Sequence, residues 1–372
     1  MRPIPNSELE LLLRCARMQV DPEGAARIAG LVSRDLDWER VLMTARHHGL
    51  IPLLYRTLAS LRPRGLAPPT LQKLRTLSEA IRFQNLVKAK ALLDALRALE
   101  AAGLAAIPYK GPALAVFLFQ DLALREFDDI DLLIERRNAV RAKRVLTQLG
   151  YAVRRRIADR WDYAWALLHQ EFALAVPHHR FDVDLSWRAG PWYWRLPDFP
   201  ASMWERLGWL TVLGSRVPWL AAEDLLLILC LHGSKHRWEE LKWLVDVAEL
   251  LRIRPDLDWH RLTDEARRTG SDRMLAVCLL LASDLLDAPV PAEVLDDLRA
   301  TPSVPSLASD VCDSICEDAK ASVGIQARLR FLARVAESAD MKVACRLLPF
   351  AYFLLNEVLR SGVAALRAAV TR

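Results

Sequence analysis

The chain has 372 residues, enough for two or three packing units. It is 52% hydrophobic and 26% charged, which excludes long disorder, and its net charge of +5 is too near balance for a general grip on long nucleic acid. The longest apolar runs, such as 347–355, fall well short of the roughly 18 residues that cross a bilayer. The N-terminus, MRPIPNSELELLLRC, has no basic start and apolar core. A soluble, cytoplasmic protein without a membrane partner is therefore expected.

In chain order, a helical N-terminal region comes first, over 1–103. Leu9, Leu12, Leu13 and Ala16 recur at helical spacing, as do Trp38, Val41, Leu42 and Ala45. RPRGLAPP (62–69) reads as a loop. The segment 71–101 reads as a long helix striped by Leu74, Leu77, Ile81 and Leu92, closed by Gly103.

The texture changes over 104–190. LAAIPYK reads as a buried strand, GPALAVFLFQD as a helix opened by Gly111 and Pro112, and DDIDLLIE as a second strand. A basic helix over 137–149 stops at Gly150; YAVRRRI is a further strand, its Arg154–Arg156 run a solvated edge. EFALAV and RFDVDLSW read as a hairpin around Pro177-His178-His179. The expected class is α+β: a small mixed sheet flanked by helical N-terminal and C-terminal regions.

Residues 191–220 read as an irregular, Trp-rich connector. Eight of the 12 tryptophans lie between 187 and 243, and large apolar side chains filling a junction explain them better than base stacking. From 221 to 372 the pattern is helical, broken at 289–291 and 301–305. The cysteines at 15, 230, 278, 312, 316 and 345 are too sparse for a disulfide framework and read as reduced packing thiols. His47-His48 and His178-His179 have no carboxylate or cysteine at useful spacing and read as surface or loop pairs.

Asp129-Ile130-Asp131 is the feature closest to chemistry. Residues i and i+2 of a strand share a face, so two carboxylates emerge side by side from an apolar strand. Such a pair repels itself unless a cation lies between, and Mg²⁺ takes one or two carboxylates plus substrate phosphates. Lys110-Gly111-Pro112 falls where a strand turns into a helix: glycine permits close approach, the helix N-terminus attracts an anion, and Lys110 adds a full charge. Asp182-Val183-Asp184 supplies a second same-face pair that can complete a three-carboxylate cage. Each element alone also fits a solvated turn or strand edge.

At helical spacing, His232, Lys235, His236 and Glu239 fall on one face. Lys235 suits phosphate, and His232 or His236 suits a base or acceptor; a polar helix face packed on the α/β unit explains them too.

Together, these motifs resemble the bacterial uncharacterised nucleotidyltransferases of the DNA polymerase β-like superfamily. The matching residues are Lys110-Gly111, Arg125, Asp129 to Leu133, Gly150-Tyr151, Glu223-Asp224-Leu225, the run from His232 to Trp238, and Trp243-Leu244-Val245-Asp246. One departure is Ser186, where the family usually carries His two residues after its third carboxylate.

The resemblance implies that Asp129, Asp131 and Asp184 hold two Mg²⁺ ions, with Asp182 as reserve ligand and Asp184 helping to deprotonate an acceptor hydroxyl. Lys110, Gly111 and Arg125 would cradle the NTP triphosphate, with Lys235, His232 and His236 contributing to nucleotide binding. The implied reaction moves an NMP from an NTP to a small-molecule, peptide or protein acceptor. A non-catalytic scaffold on the same fold, and a toxin- or antitoxin-type enzyme acting on tRNA or protein, are the alternatives.

Overall fold

The computed structural model describes residues 6–154, 162, 163, 166, 169–188, 201–316 and 325–335. The 347–355 run, Arg155, Arg156, Trp192, Trp194 and Cys345 lie outside these residues. No helix among the described residues is long and apolar enough to cross a membrane.

The N-terminal region is helical. Helices α1 (Ser7–Cys15), α2 (Pro22–Val32) and α3 (Trp38–His47) are each opened by an Asn or Asp whose side chain accepts from a first-turn amide. After α4 (Ile51–Leu61), α5 runs from Pro68 to Ala101. It begins inside the stretch read as a loop because Pro68 is accommodated at the helix start. His48 is buried rather than at the surface: its ring accepts from the Leu241 amide and its carbonyl from the Lys242 amide.

The α/β unit holds a five-stranded mixed sheet in the order β1-β2-β5-β4-β3. Its strands are β1 (Ala106–Pro108), β2 (Ile130–Ile134), β3 (Ala152–Val153), β4 (Glu171–Ala175) and β5 (Asp182–Ser186). β2 runs parallel to β5, and the other pairs are antiparallel. Every residue of β2 is buried, as expected of a strand covered on both faces. Helix α6 (Gly111–Phe119) packs against α5 and β2, and α7 (Ala139–Gln148) against β4 and β5. The expected α+β class is the observed one.

The connector is not irregular throughout. Residues 189–200 lie outside the described residues, but β6 (Gly208–Val212) and β7 (Ser215–Trp219) form a hairpin that packs on β1 and α6. Leu213 and Gly214 turn it with φ of 46° and 78°, the positive pair of a two-residue hairpin loop. Pro218 disguised β7, since proline normally argues against a strand; a two-stranded ribbon has only edges and accepts it.

Helices then run over Ala222–Lys235, Leu241–Ile253, Trp259–Thr269, Asp272–Leu286, Ala292–Ala300, Ser303–Cys316 and Ile325–Val335. Pro305 interrupts nothing because it falls in the first turn of its helix. The second of these helices packs against α6 and against the first, which brings His232 beside Lys110.

Candidate active site

Parallel pairing of β2 with β5 sets Asp131 directly beside Asp184. Asp129 sits in the bend just before β2, two residues upstream on the same face. One carboxylate oxygen from each of the three lies within 4.8 Å of the others, the one such His/Cys/Asp/Glu group among the described residues.

Their environment disfavours three free negative charges. Burial, against the pull of Lys110 and with the push of Asp129, raises Asp131 to about 6. Burial, then the charges of Glu171, Asp131 and Asp129, raises Asp184 to about 8. Asp131 Oδ2 and Asp184 Oδ1 are buried without a hydrogen-bond partner. Buried carboxylate oxygens without partners, on side chains this close together, are what a hard, oxygen-seeking divalent cation satisfies, so the donor set fits Mg²⁺.

Gly111 fixes the geometry on the other side. Its φ is 56°, and a Cβ there would stand 3.0 Å from the Asp129 carbonyl oxygen. Helix α6 therefore starts hard against the bend that carries Asp129, and no side chain caps it. Gly111→Ala is expected to destabilise the fold by about 1–2 kcal/mol from the left-handed backbone alone. It also displaces Asp129; thermal denaturation and divalent-ion binding report the two effects separately.

Lys110 lies within the cluster. Its Nζ is 2.6 Å from Asp131 Oδ1, and Tyr109 Oη donates to the same oxygen at 3.2 Å. Burial acts to lower Lys110, but Asp131 and Asp129 more than offset it, so the ammonium stays charged. The Tyr109 hydroxyl is held well above its ordinary value by burial and by Asp131, while Ser186 acts to lower it. Ser186 lines the same cavity as Tyr109 and Lys110.

His232, on the Ala222–Lys235 helix, has Nδ1 3.4 Å from Lys110 Nζ. Burial, then Lys110, push its pKa well down and keep the imidazole neutral. His232, His236 and Trp243 pack ring against ring, with centroids 4.9–5.3 Å apart. Glu239 does not share their helical face, because the helix stops at Lys235. Trp238 folds back so that its ring covers Gly233, where any Cβ would fall inside the indole, and Arg237 and Trp238 take positive φ.

Two cavities meet at Lys110, Asp129 and Asp131. One, of about 200 Å³, extends past Asp184, Glu171, Arg188 and Lys235; the other, of about 180 Å³, extends past Gly111, Glu126, Lys242 and Trp243.

Two residues expected at the site are engaged by other side chains. Arg125 is buried in the wall of the smaller cavity and grips Asp246 with two bonds of 2.7 and 2.8 Å, so it ties the loop before Asp129 to the Leu241–Ile253 helix. Asp182, the reserve ligand, is outside the carboxylate group and pairs with the half-exposed Arg154 at 2.7 Å.

Sequence reading missed two supports and gave no role to a third residue, Asp246, which it singled out by motif. Asn85 Nδ2 donates to the Leu122 and Arg125 carbonyls, Lys88 Nζ donates to the Phe127 carbonyl, and Asp246 anchors Arg125. The signal was present for two of them, since Asn85 and Lys88 are polar residues on the apolar stripe of α5 between Ile81 and Leu92.

Comparison with known proteins adds a family. The model of a family described as uncharacterised nucleotidyltransferase matches residues 34–287, well over half of the chain. No curated protein matches the chain. Among solved structures, the chain is similar to the antibiotic-resistance factor ANT(2'')-Ia, determined in solution. That match has 15% identity and a TM-score of 0.31, and covers 61% of this chain and 96% of that one.

Proposed function

This chain belongs to the uncharacterised nucleotidyltransferase family, and on that premise we propose that it transfers an NMP from an NTP to an acceptor hydroxyl in a reaction that depends on Mg²⁺. The observation that carries the reading is the convergence of Asp129, Asp131 and Asp184, with two buried oxygens lacking partners, against the Gly111 turn.

In this reading the three carboxylates hold two Mg²⁺ ions. Bound there, the ions supply charge stabilisation for the attacking and departing oxygens of an in-line displacement at the α-phosphorus. Lys110 and the uncapped first turn of α6 bind the triphosphate, where the helix dipole and free amides favour an anion. Lys235, half-buried at the rim of the larger cavity, adds positive charge. Asp184 takes the proton of the acceptor hydroxyl. His232 meets Trp243 edge-on and His236 packs tilted against the same ring, which forms the wall beside Lys110.

Atoms balance in a simple way: the acceptor oxygen bonds to the α-phosphorus, the α–β bridge breaks, and pyrophosphate leaves. A small metabolite, a peptide or a protein side chain meets this requirement.

Incubation of the protein with each α-³²P-labelled NTP, Mg²⁺ and a cell extract tests the proposal. Label is expected on a new product from one or more NTPs, and none when the Asp129→Ala/Asp131→Ala variant replaces the wild type. Equal labelling by wild type and variant, or none from any NTP, would refute it.

A further inference from the structure

We propose that Lys110 is the resident counter-ion of the carboxylate cluster: its ammonium holds Asp131 against free divalent ions and yields the position when a triphosphate draws it away. This rests on the reading above and concerns how the same site is loaded.

The contacts are specific. Lys110 Nζ lies 2.6 Å from Asp131 Oδ1, and both side chains are buried. Its other neighbour is His232 Nδ1 at 3.4 Å, a neutral ring nitrogen able to accept from the ammonium. Lys110 is thus the cation that balances the most buried of the three carboxylates.

A divalent ion among these carboxylates would stand beside a fixed positive charge in a poorly solvated site, where like charges repel more than in water. The ion and the ammonium therefore compete for Asp131. An arriving triphosphate reverses the local balance by adding several negative charges.

The side chain has somewhere to go. Lys110 is the residue that opens α6, so its backbone is fixed by the Gly111 turn, but four flexible methylenes carry the charge. Both cavities reach it. It can leave Asp131 for a phosphate oxygen without moving the helix, and metal and nucleotide binding become reciprocally coupled.

The test is Mn²⁺ titration in the absence of nucleotide, with free ion counted by electron paramagnetic resonance. Lys110→Met is expected to bind Mn²⁺ at least about tenfold more tightly than the wild type, a gain of about 1.4 kcal/mol. Lys110→Arg, which keeps the charge, should bind as weakly as the wild type. Should Lys110→Met fail to fold, Lys110→Gln removes the charge while keeping a polar head over Asp131, and circular dichroism identifies the folded variant to use.

Folded charge-removing variants that bind Mn²⁺ no more tightly than the wild type would overturn the role of Lys110. Tight and equal binding in every form would overturn it while leaving metal-dependent transfer standing. No Mn²⁺ binding in any form, even with an NTP added, would bring down both.

Discussion

Asp184→Asn is expected to lower nucleotidyl transfer by about 10²- to 10³-fold or more while leaving the metal-free protein at least as stable as the wild type. The loss follows from removing one ligand of a site whose cations are each asked for several kcal/mol of charge stabilisation. The gain in stability follows from linkage. Asp184 is raised from its ordinary 3.8 to about 8 in the fold, first by burial and then by Glu171. Between those values the unfolded chain has lost the proton and the folded chain keeps it, so stability falls as pH rises. The favourable contribution is complete below about pH 4 and gone above about pH 8. Asparagine carries no charge at any pH and escapes this cost. Melting temperatures without divalent ions should therefore diverge in favour of the variant from pH 5 to 8 and then run parallel. A variant that is inactive and equally destabilised at every pH would mean that Asp184 acts only as a packing residue.

Arg125→Ala is expected to destabilise the protein by about 3–5 kcal/mol, because it leaves the Asp246 charge buried and unpaired. The paired replacement Arg125→Met/Asp246→Leu should restore most of that stability, since no uncompensated charge remains. This separates two roles. A phosphate ligand would show lost nucleotide affinity in both variants with little change in melting temperature. A staple between the Asp129 loop and the Leu241–Ile253 helix shows a large stability loss in the single variant and recovery in the double.

Much of the site was legible because strands have a period of two. Asp129-x-Asp131 and Asp182-x-Asp184 announce their shared faces without any structure, and Gly111-Pro112 announces a helix start. The register between strands was not legible. That Asp184 and not Asp182 meets Asp131 depends on a parallel pairing between segments some 50 residues apart, and on Arg154 engaging Asp182. Charge partners were equally hidden. Arg125 has the chemistry of a phosphate ligand, and only packing across 121 residues of chain shows that Asp246 engages it. His48 looked like a surface residue because local spacing says nothing of the helix that covers it. The β6–β7 hairpin was missed through Pro218, a breaker that an edge strand tolerates.

Calorimetric titration of each NTP into the protein, once with Mg²⁺ and once with a chelator, bears most directly on whether Asp129, Asp131 and Asp184 form a cation-dependent nucleotide site. At least one NTP should bind in Mg²⁺ and not in chelator, and Asp129→Ala/Asp131→Ala should bind it in neither. Undiminished binding in chelator, or by that double variant, would contradict the assignment.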